Sequence, residues 1–217
     1  MCEAKMTIKQ FWVDPYQTEL MTSITYIEQN QVMLAETIFY AESGGQESDS
    51  GRIGGVDVIK AEKIGRSILY TLATTPDFYV GQAVLVKIDW PRRYSLMRLH
   101  FAAEVVLELF YKSLPTLEKM GAHISESKSR IDFEWPESIS PLLADIQARA
   151  QSLINADLPI EKDFSDQAEE RRYWKVDGFA QVPCGGTHVK STAELGVIKL
   201  KRKNVGKGKE RVEIYLS

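Results

Sequence analysis

Apolar and polar positions alternate in short runs over the first ninety residues. SITYIEQNQVMLAETIFY (23–40) is rich in β-branched and aromatic residues and predicts two strands joined by a turn at Glu28-Gln29-Asn30. AESGGQESDSGRIGG (41–55), dense in glycine and serine, predicts a loop. VDVIKAE (56–62), SILYTLA (67–73) and AVLVKIDW (83–90) follow as further strands. Strands spaced this closely predict a small barrel or curled sheet.

Past Pro91 the period lengthens. Leu96, Leu99, Ala103, Val106 and Phe110 recur at helical spacing in RRYSLMRLHFAAEVVLELFYKSL (92–114). That pattern predicts a helix of about five turns, limited by Pro115. RIDFEWP (130–136) reads as a strand, and SPLLADIQARAQSLINAD (140–157) as a second helix with Ser140-Pro141 at the cap and first turn. RRYWKVDG (171–178), ELGVIKLKR (194–202) and ERVEIYLS (210–217) return to short strands. The expected class is α+β, with a β-rich domain over residues 1–90 and an α+β domain over 91–217. No internal repeat is visible.

The 217 residues, 44% apolar and 26% charged, suffice for one well-filled domain or two modest ones. No run of 18 apolar residues occurs, so no membrane-spanning segment is expected. The start MCEAKMTIKQ, with an acid at position three and no apolar core segment, does not read as a secretory signal. Cys2 and Cys184 lie far apart, which fits a reducing cytoplasm better than a disulfide framework. A net charge of −3 does not favour nucleic acid, yet KLKRKNVGKGKER (199–211) holds seven Lys or Arg against one Glu. That run is either a solvated basic turn or a local patch that attracts phosphates.

PCGGTH (183–188) sets Cys184 four residues before His188, half of a possible metal site. In the first predicted helix, His100 and Glu104 share a face. Together the four are an acceptable tetrahedral set, and the sulfur favours zinc over magnesium or calcium. The 84 residues between His100 and Cys184 leave that pairing to the fold. Each residue also has a plainer reading. His100 fits a partly buried hydrogen-bonded imidazole, Glu104 a helix-margin carboxylate paired with Arg98 or solvated, and Cys184 an inert buried thiol. Gly185 and Gly186 indicate close backbone approach to a substrate, a metal or another strand.

FYAESGGQESDSG (39–51), DWPRRYSLMRLHFAAE (89–104), RIDFEW (130–135), PCGGTHV (183–189) and ELGVIKLKRKNVGKGKERVEIYL (194–216) resemble successive blocks of one family. It is the editing domain of alanyl-tRNA synthetase, with its free-standing AlaX relatives. The blocks keep the family's order and cover nearly the whole chain from about residue 30. The resemblance implies a small β-barrel-like N-terminal domain, followed by an α+β editing domain of the type shared by threonyl- and alanyl-tRNA synthetases. It implies hydrolysis of mischarged tRNA(Ala), chiefly seryl-tRNA(Ala), with glycyl-tRNA(Ala) as a second candidate. It also implies one zinc ion per chain, with Cys184, His188 and His100 at family ligand positions.

One position departs from the family, whose helical motif is His-x-x-x-His where this chain has His100 and Glu104. Glu104 then either ligates, swings away to leave an open position, or weakens metal binding. The resemblance sets the FYAESGGQ loop against the site. Gln46 is then a donor toward an oxyanion or the group that orients a water, where the residue pattern alone favours a solvent-facing Gln in a β-turn. Glu42, Ser43, Gly44 and Gly45 become substrate contacts, Thr187 a contact to a serine hydroxyl, and Glu104 a catalytic candidate.

The expected partner is the acceptor end of tRNA(Ala) carrying serine or glycine, in the cytoplasm, with no membrane and no obligatory protein partner. Lys207, Lys209 and Arg211 are the expected phosphate contacts, extended by Arg92, Arg93 and Arg98 and by Arg171 and Arg172. Phe39, Tyr40 and Trp174 are either core residues or platforms for an unpaired base. Nucleotide- and ATP-binding labels come with the family. The competing functions are a zinc-dependent hydrolase of another small ester or amide, and a non-catalytic RNA-binding relative.

Overall fold

The computed structural model describes residues 6–217, so Cys2 lies outside the described residues. The strands before the first helix are β1 (Ile8–Lys9), β2 (Glu19–Glu28), β3 (Gln31–Leu34), β4 (Glu36–Thr37), β5 (Gly51–Ile53), β6 (Val56–Ile64), β7 (Ser67–Leu72) and β8 (Ala83–Ile88). Helix α1 (Trp90–Ser113) follows, then β9 (Glu118–Ile124), β10 (Ser129–Glu134) and helix α2 (Ser140–Asn155). The chain ends with β11 (Glu161–Asp166), β12 (Arg171–Val176), β13 (Ala180–Pro183), β14 (Ile198–Asn204) and β15 (Lys209–Leu216). It divides into two compact units. One runs to Ser43 and resumes over Glu47–Tyr94; the other comprises Gly44–Gln46 and Ser95–Ser217. Among the described residues no helix is long and apolar enough to cross a membrane.

In the first unit β2, β3, β7, β6, β5 and β8 pair in that order, and β8 pairs back onto β2. The alternation of AVLVKI in β8 turns Val84, Val86 and Ile88 inward, where they join Ile24, Val32, Leu34, Ile53, Tyr70 and Leu72 in one core. The β2–β3 turn is tighter than the sequence suggests: Glu28 still pairs with Gln31, and Gln29 takes the left-handed conformation at φ 52°.

Asp89 caps α1, its carboxylate accepting from the Arg92 N–H at 3.2 Å, and Pro91 falls in the first turn. At 24 residues the helix is longer than its stripe predicts. Leu96, Leu99, Ala103, Val106 and Phe110 are all buried, but so are Met97, Phe101, Ala102, Val105 and Leu109. A helix packed on more than one side needs more than one apolar face, and that blurs the periodicity.

In the second unit β14, β15, β10 and β9 form an antiparallel sheet, and β11, β12 and β13 a second one. The inner face of the larger sheet packs on α1, with Phe110 against Phe133 at 5.2 Å and Leu96 and Leu99 beside Ile124. Along α2, Gln147 and Gln151 accept from the backbone N–H groups of Leu200 and Ile198 at 2.8 and 3.0 Å, which closes the β14 edge. β9 has no counterpart among the predicted elements. Its EKMGAHI run does not alternate, and exposed residues fill its first half.

Candidate metal centre

Four segments of the second unit meet at one place. α1 presents His100 and, one turn later, Glu104. The loop after β13 presents Cys184, Thr187 and His188, and β12 turns Trp174 inward through its alternating pattern. The fourth segment, Gly44–Gln46, lies along β9: Gln46 bridges Ile124 in parallel register, and the Gly45 carbonyl accepts from the Ile124 N–H at 2.7 Å. Only glycine suits position 45. Its φ is +87°, and a Cβ there would sit 2.5 Å from the Ala122 carbonyl oxygen.

One nitrogen or sulfur atom from each of His100, Cys184 and His188 falls within 4.8 Å of the others. The Cys184 Sγ stands 3.4 Å from His100 Nε2, and the two imidazole rings are 4.9 Å apart. His100 Nδ1 contacts Gln46 Oε1 at 2.5 Å, so the amide oxygen holds the proton on Nδ1 and leaves Nε2 facing the sulfur. Gln46 in turn donates through Nε2 to Thr187 Oγ1 at 3.0 Å. Gly186 closes the wall: a Cβ there would lie 2.1 Å from His100 Cε1.

Charge is concentrated in this buried space. Burial pulls the His100 pKa down, but negative charge at Cys184 and Glu104 outweighs it and raises the value to about 10. Burial pushes Glu104 up, yet its contacts to His100 and Trp174 hold it below the usual carboxylate range. His188 is held well below its ordinary value by burial and by the cations of His100, Lys162 and Arg172. Both its ring nitrogens are buried without a hydrogen-bond partner among the described residues. A buried neutral imidazole needs a partner for its lone pair, and a metal ion supplies one. The site fits a metal: two imidazoles and a sulfur suit a borderline-soft divalent ion better than an oxygen-seeking one.

Glu104 lies beside this group without belonging to it. Its Oε1 is 3.4 Å from His100 Nε2, while its Oε2 accepts from the buried indole Nε1 of Trp174 at 3.3 Å. Trp174 is fully buried and packs edge-on against Phe101 at 5.1 Å, so it belongs to the core. Its link to Glu104 escaped the sequence reading. The clue was a tryptophan on the inward side of an alternating strand, whose N–H must find an acceptor.

The other candidates scatter. Phe39 and Tyr40 are buried in the first unit's core. Arg93 is a correction to the sequence reading, being fully buried rather than a surface cation. Its guanidinium donates to Asp49 Oδ1 at 2.8 Å, to the Pro15 carbonyl at 2.9 Å and to the Ile38 carbonyl, all within the first unit. A helix pattern shows that an arginine is present, not whether a carboxylate 44 residues away will bury it. Arg92 is partly buried, bound to Glu47 and to the Ser48 carbonyl. Arg98 donates to the Leu195 carbonyl at 2.7 Å. Glu42 and Ser43 are exposed residues of the first unit, and Gly44 is exposed with φ +62°. Arg172 is buried, and Arg171 is exposed. Lys207 and Lys209 are exposed, whereas Arg211 is held by Asp132.

Residues 2–92 match the family described as tRNA synthetases class II (A), and residues 175–213 match the Threonyl and Alanyl tRNA synthetase second additional domain. The chain is 34% identical over 215 residues to alanyl-tRNA editing protein AlaX-M of Pyrococcus horikoshii, covering 97% of this chain and 98% of that protein. An alanine–tRNA ligase of Methanococcus maripaludis is 29% identical over 232 residues, with 97% of this chain aligned to 26% of the ligase. The alanine–tRNA ligase of Pyrobaculum arsenaticum is also 29% identical, over 225 residues and 25% of its length.

Proposed function

The chain belongs to the family that unites AlaX-M with the editing domain of alanyl-tRNA synthetase, and on that premise we propose that it hydrolyses the ester of mischarged tRNA(Ala). Seryl-tRNA(Ala) is the chief substrate and glycyl-tRNA(Ala) a second. The observation that carries this reading is the buried His100, Cys184 and His188 group, assembled against the Gly44–Gln46 segment in a chain that aligns along nearly all of an alanyl-tRNA editing protein. Such a substrate places the protein in the cytoplasm. Ester hydrolysis runs without a nucleotide, so ATP binding is no part of the proposal.

His100, Cys184 and His188 would hold one zinc ion, with Glu104 Oε1 as the adjacent oxygen donor. Bound zinc supplies a fixed positive charge that polarises an ester carbonyl or holds an amino group. The chain's own residues do the rest. Gln46 sets the His100 tautomer, so its amide acts on the imidazole and on Thr187 and is a positioning group. The Thr187 hydroxyl accepts from Gln46 and keeps its own O–H to donate to the hydroxyl of a bound serine. A site that hydrogen-bonds that hydroxyl rejects alanine, whose methyl leaves the polar group unpaired. Trp174 ties down one oxygen of Glu104 and leaves the other to complete the donor set or take a proton from the attacking water.

Serine release from seryl-tRNA(Ala) tests the reading, measured untreated, after chelation, and after zinc is returned. Hydrolysis should disappear with the chelator and come back with zinc. Binding of tRNA without turnover would instead mark a non-catalytic RNA-binding relative. Activity on small free esters alone would mark an unrelated hydrolase.

A further inference from the structure

The larger sheet of the second unit has a second face. Strand alternation buries Ile198 and Leu200 of β14, Glu210, Val212 and Ile214 of β15, and Ile131 and Phe133 of β10 on the side that meets α1. The opposite side carries the residues between them. Across it Lys201 pairs with Glu213 and then Arg130, and Lys203 with Arg211 and then Asp132. Asp132 binds both Arg130 and Arg211, and Glu213 takes Lys128 at 2.6 Å. These carboxylates are thus matched by the cations of β10, β15 and the turn before β10. Lys199, Lys201 and Lys203 on β14 remain exposed, and Lys203 also lends its charge to the field that holds Glu213 below the usual carboxylate range.

We infer that this outward face, led by Lys199, Lys201 and Lys203, is the track on which the phosphate backbone of the tRNA acceptor arm lies. The inference rests on the editing function proposed above. Three lysines at alternate positions of one strand recur about every 6.7 Å, close to the step between successive phosphates of a nucleic-acid strand. The sheet is four strands wide, so β14 stands about 14 Å from β9. β9 is the strand that holds Gly45 and Gln46 at the candidate centre. A phosphate strand laid along these lysines therefore runs parallel to β9 and passes beside that centre at about the same 14 Å. The contact is to backbone and not to bases. Tyr215, the aromatic of the face, has Lys201 and Lys128 over its ring at 4.9 and 5.8 Å, and its hydroxyl donates to Glu213. In a protein of net charge −3, this face concentrates positive potential where an anionic partner would dock.

The test is binding of uncharged tRNA(Ala) transcript, by fluorescence anisotropy over a range of salt. Wild type is compared with Lys199→Gln/Lys201→Gln/Lys203→Gln and with the control Lys60→Gln/Lys63→Gln, all checked for equal thermal stability. The triple variant should bind about 10- to 100-fold more weakly, and its slope of log affinity against log salt should fall by about 2 to 3. Its KM for seryl-tRNA(Ala) should rise while kcat holds; the control should match wild type. Equal affinity and slope in the triple variant, beside a wild type that deacylates, overturn the surface and leave the function standing. A wild type that binds transcript through these lysines but releases no serine overturns the function and keeps an RNA-binding face. Loss of binding to phosphatidylserine vesicles with transcript binding intact assigns the face to a membrane and refutes the inference.

Discussion

Replacing Trp174 with Phe removes one hydrogen bond and little else that is polar. The indole Nε1 reaches Glu104 Oε2 at 3.3 Å, inside a space where Trp174 is fully buried. Hydrogen bonds to charged groups contribute about 1.5–3 kcal/mol, and this one is slightly longer than the favoured range, which puts it near 1.5 kcal/mol. Phe keeps an aromatic ring against Phe101 but leaves a gap costing about 1 kcal/mol more. The sum, about 2.5 kcal/mol, mixes the two effects. A cycle of wild type, Trp174→Phe, Glu104→Ala and the double variant separates them, read by urea denaturation in chelator at pH 7. A coupling of about 1.5 kcal/mol is expected, well above the roughly 0.5 kcal/mol scatter of independent sites. The pH dependence has a definite sign. Contacts to His100 and Trp174 hold the Glu104 pKa low, so the coupling is complete above the ordinary carboxylate pKa and fades only as pH falls through the depressed folded-state value. Additive single variants at pH 7, or a coupling that grows on acidification, would refute the argument that the indole holds an ionised Glu104.

Gly186→Ala places a methyl group 2.1 Å from His100 Cε1, so the imidazole must move by about an ångström. Serine release should fall by about 100-fold and bound zinc should drop with it by metal analysis; full zinc content and rate would show that the ring has room. Arg93→Met leaves Asp49 buried without its guanidinium and should cost about 3–5 kcal/mol in urea denaturation. The folded variant should bind tRNA as wild type does, and weakened binding with unchanged stability would return Arg93 to the RNA surface.

Much of this was legible along the chain. The stripe of Leu96, Leu99, Ala103, Val106 and Phe110 located α1, because a buried helix repeats its apolar positions every three to four residues. The spacing of His100 from Glu104 and of Cys184 from His188 indicated which donors to examine, and of the two glycines of PCGGTH only Gly186 is closely packed, a Cβ at Gly185 meeting nothing within 4 Å. β9 was not legible. It pairs on one side with β10 and on the other with only the short Gly45–Gln46 segment, so no strong alternation was needed to hold it. Arg93 was misread because a charged residue near a helix start looks the same in sequence whether it meets water or Asp49.

Sequence alone thus determined the strongly patterned elements, the kinds of donor atoms and the family, since each depends on residues a few positions apart or on whole blocks kept in order. It did not determine who meets whom. Gln46 reaches His100 across 54 positions and Thr187 across 141, and Trp174 reaches Glu104 across 70. Such contacts leave no periodic trace, because they arise only when separate elements pack their buried faces together and each polar atom enclosed there must take the nearest partner. Packing placed Glu104 beside the His-Cys-His group, tied one of its oxygens to an indole, and gave Gln46 the task of orienting an imidazole.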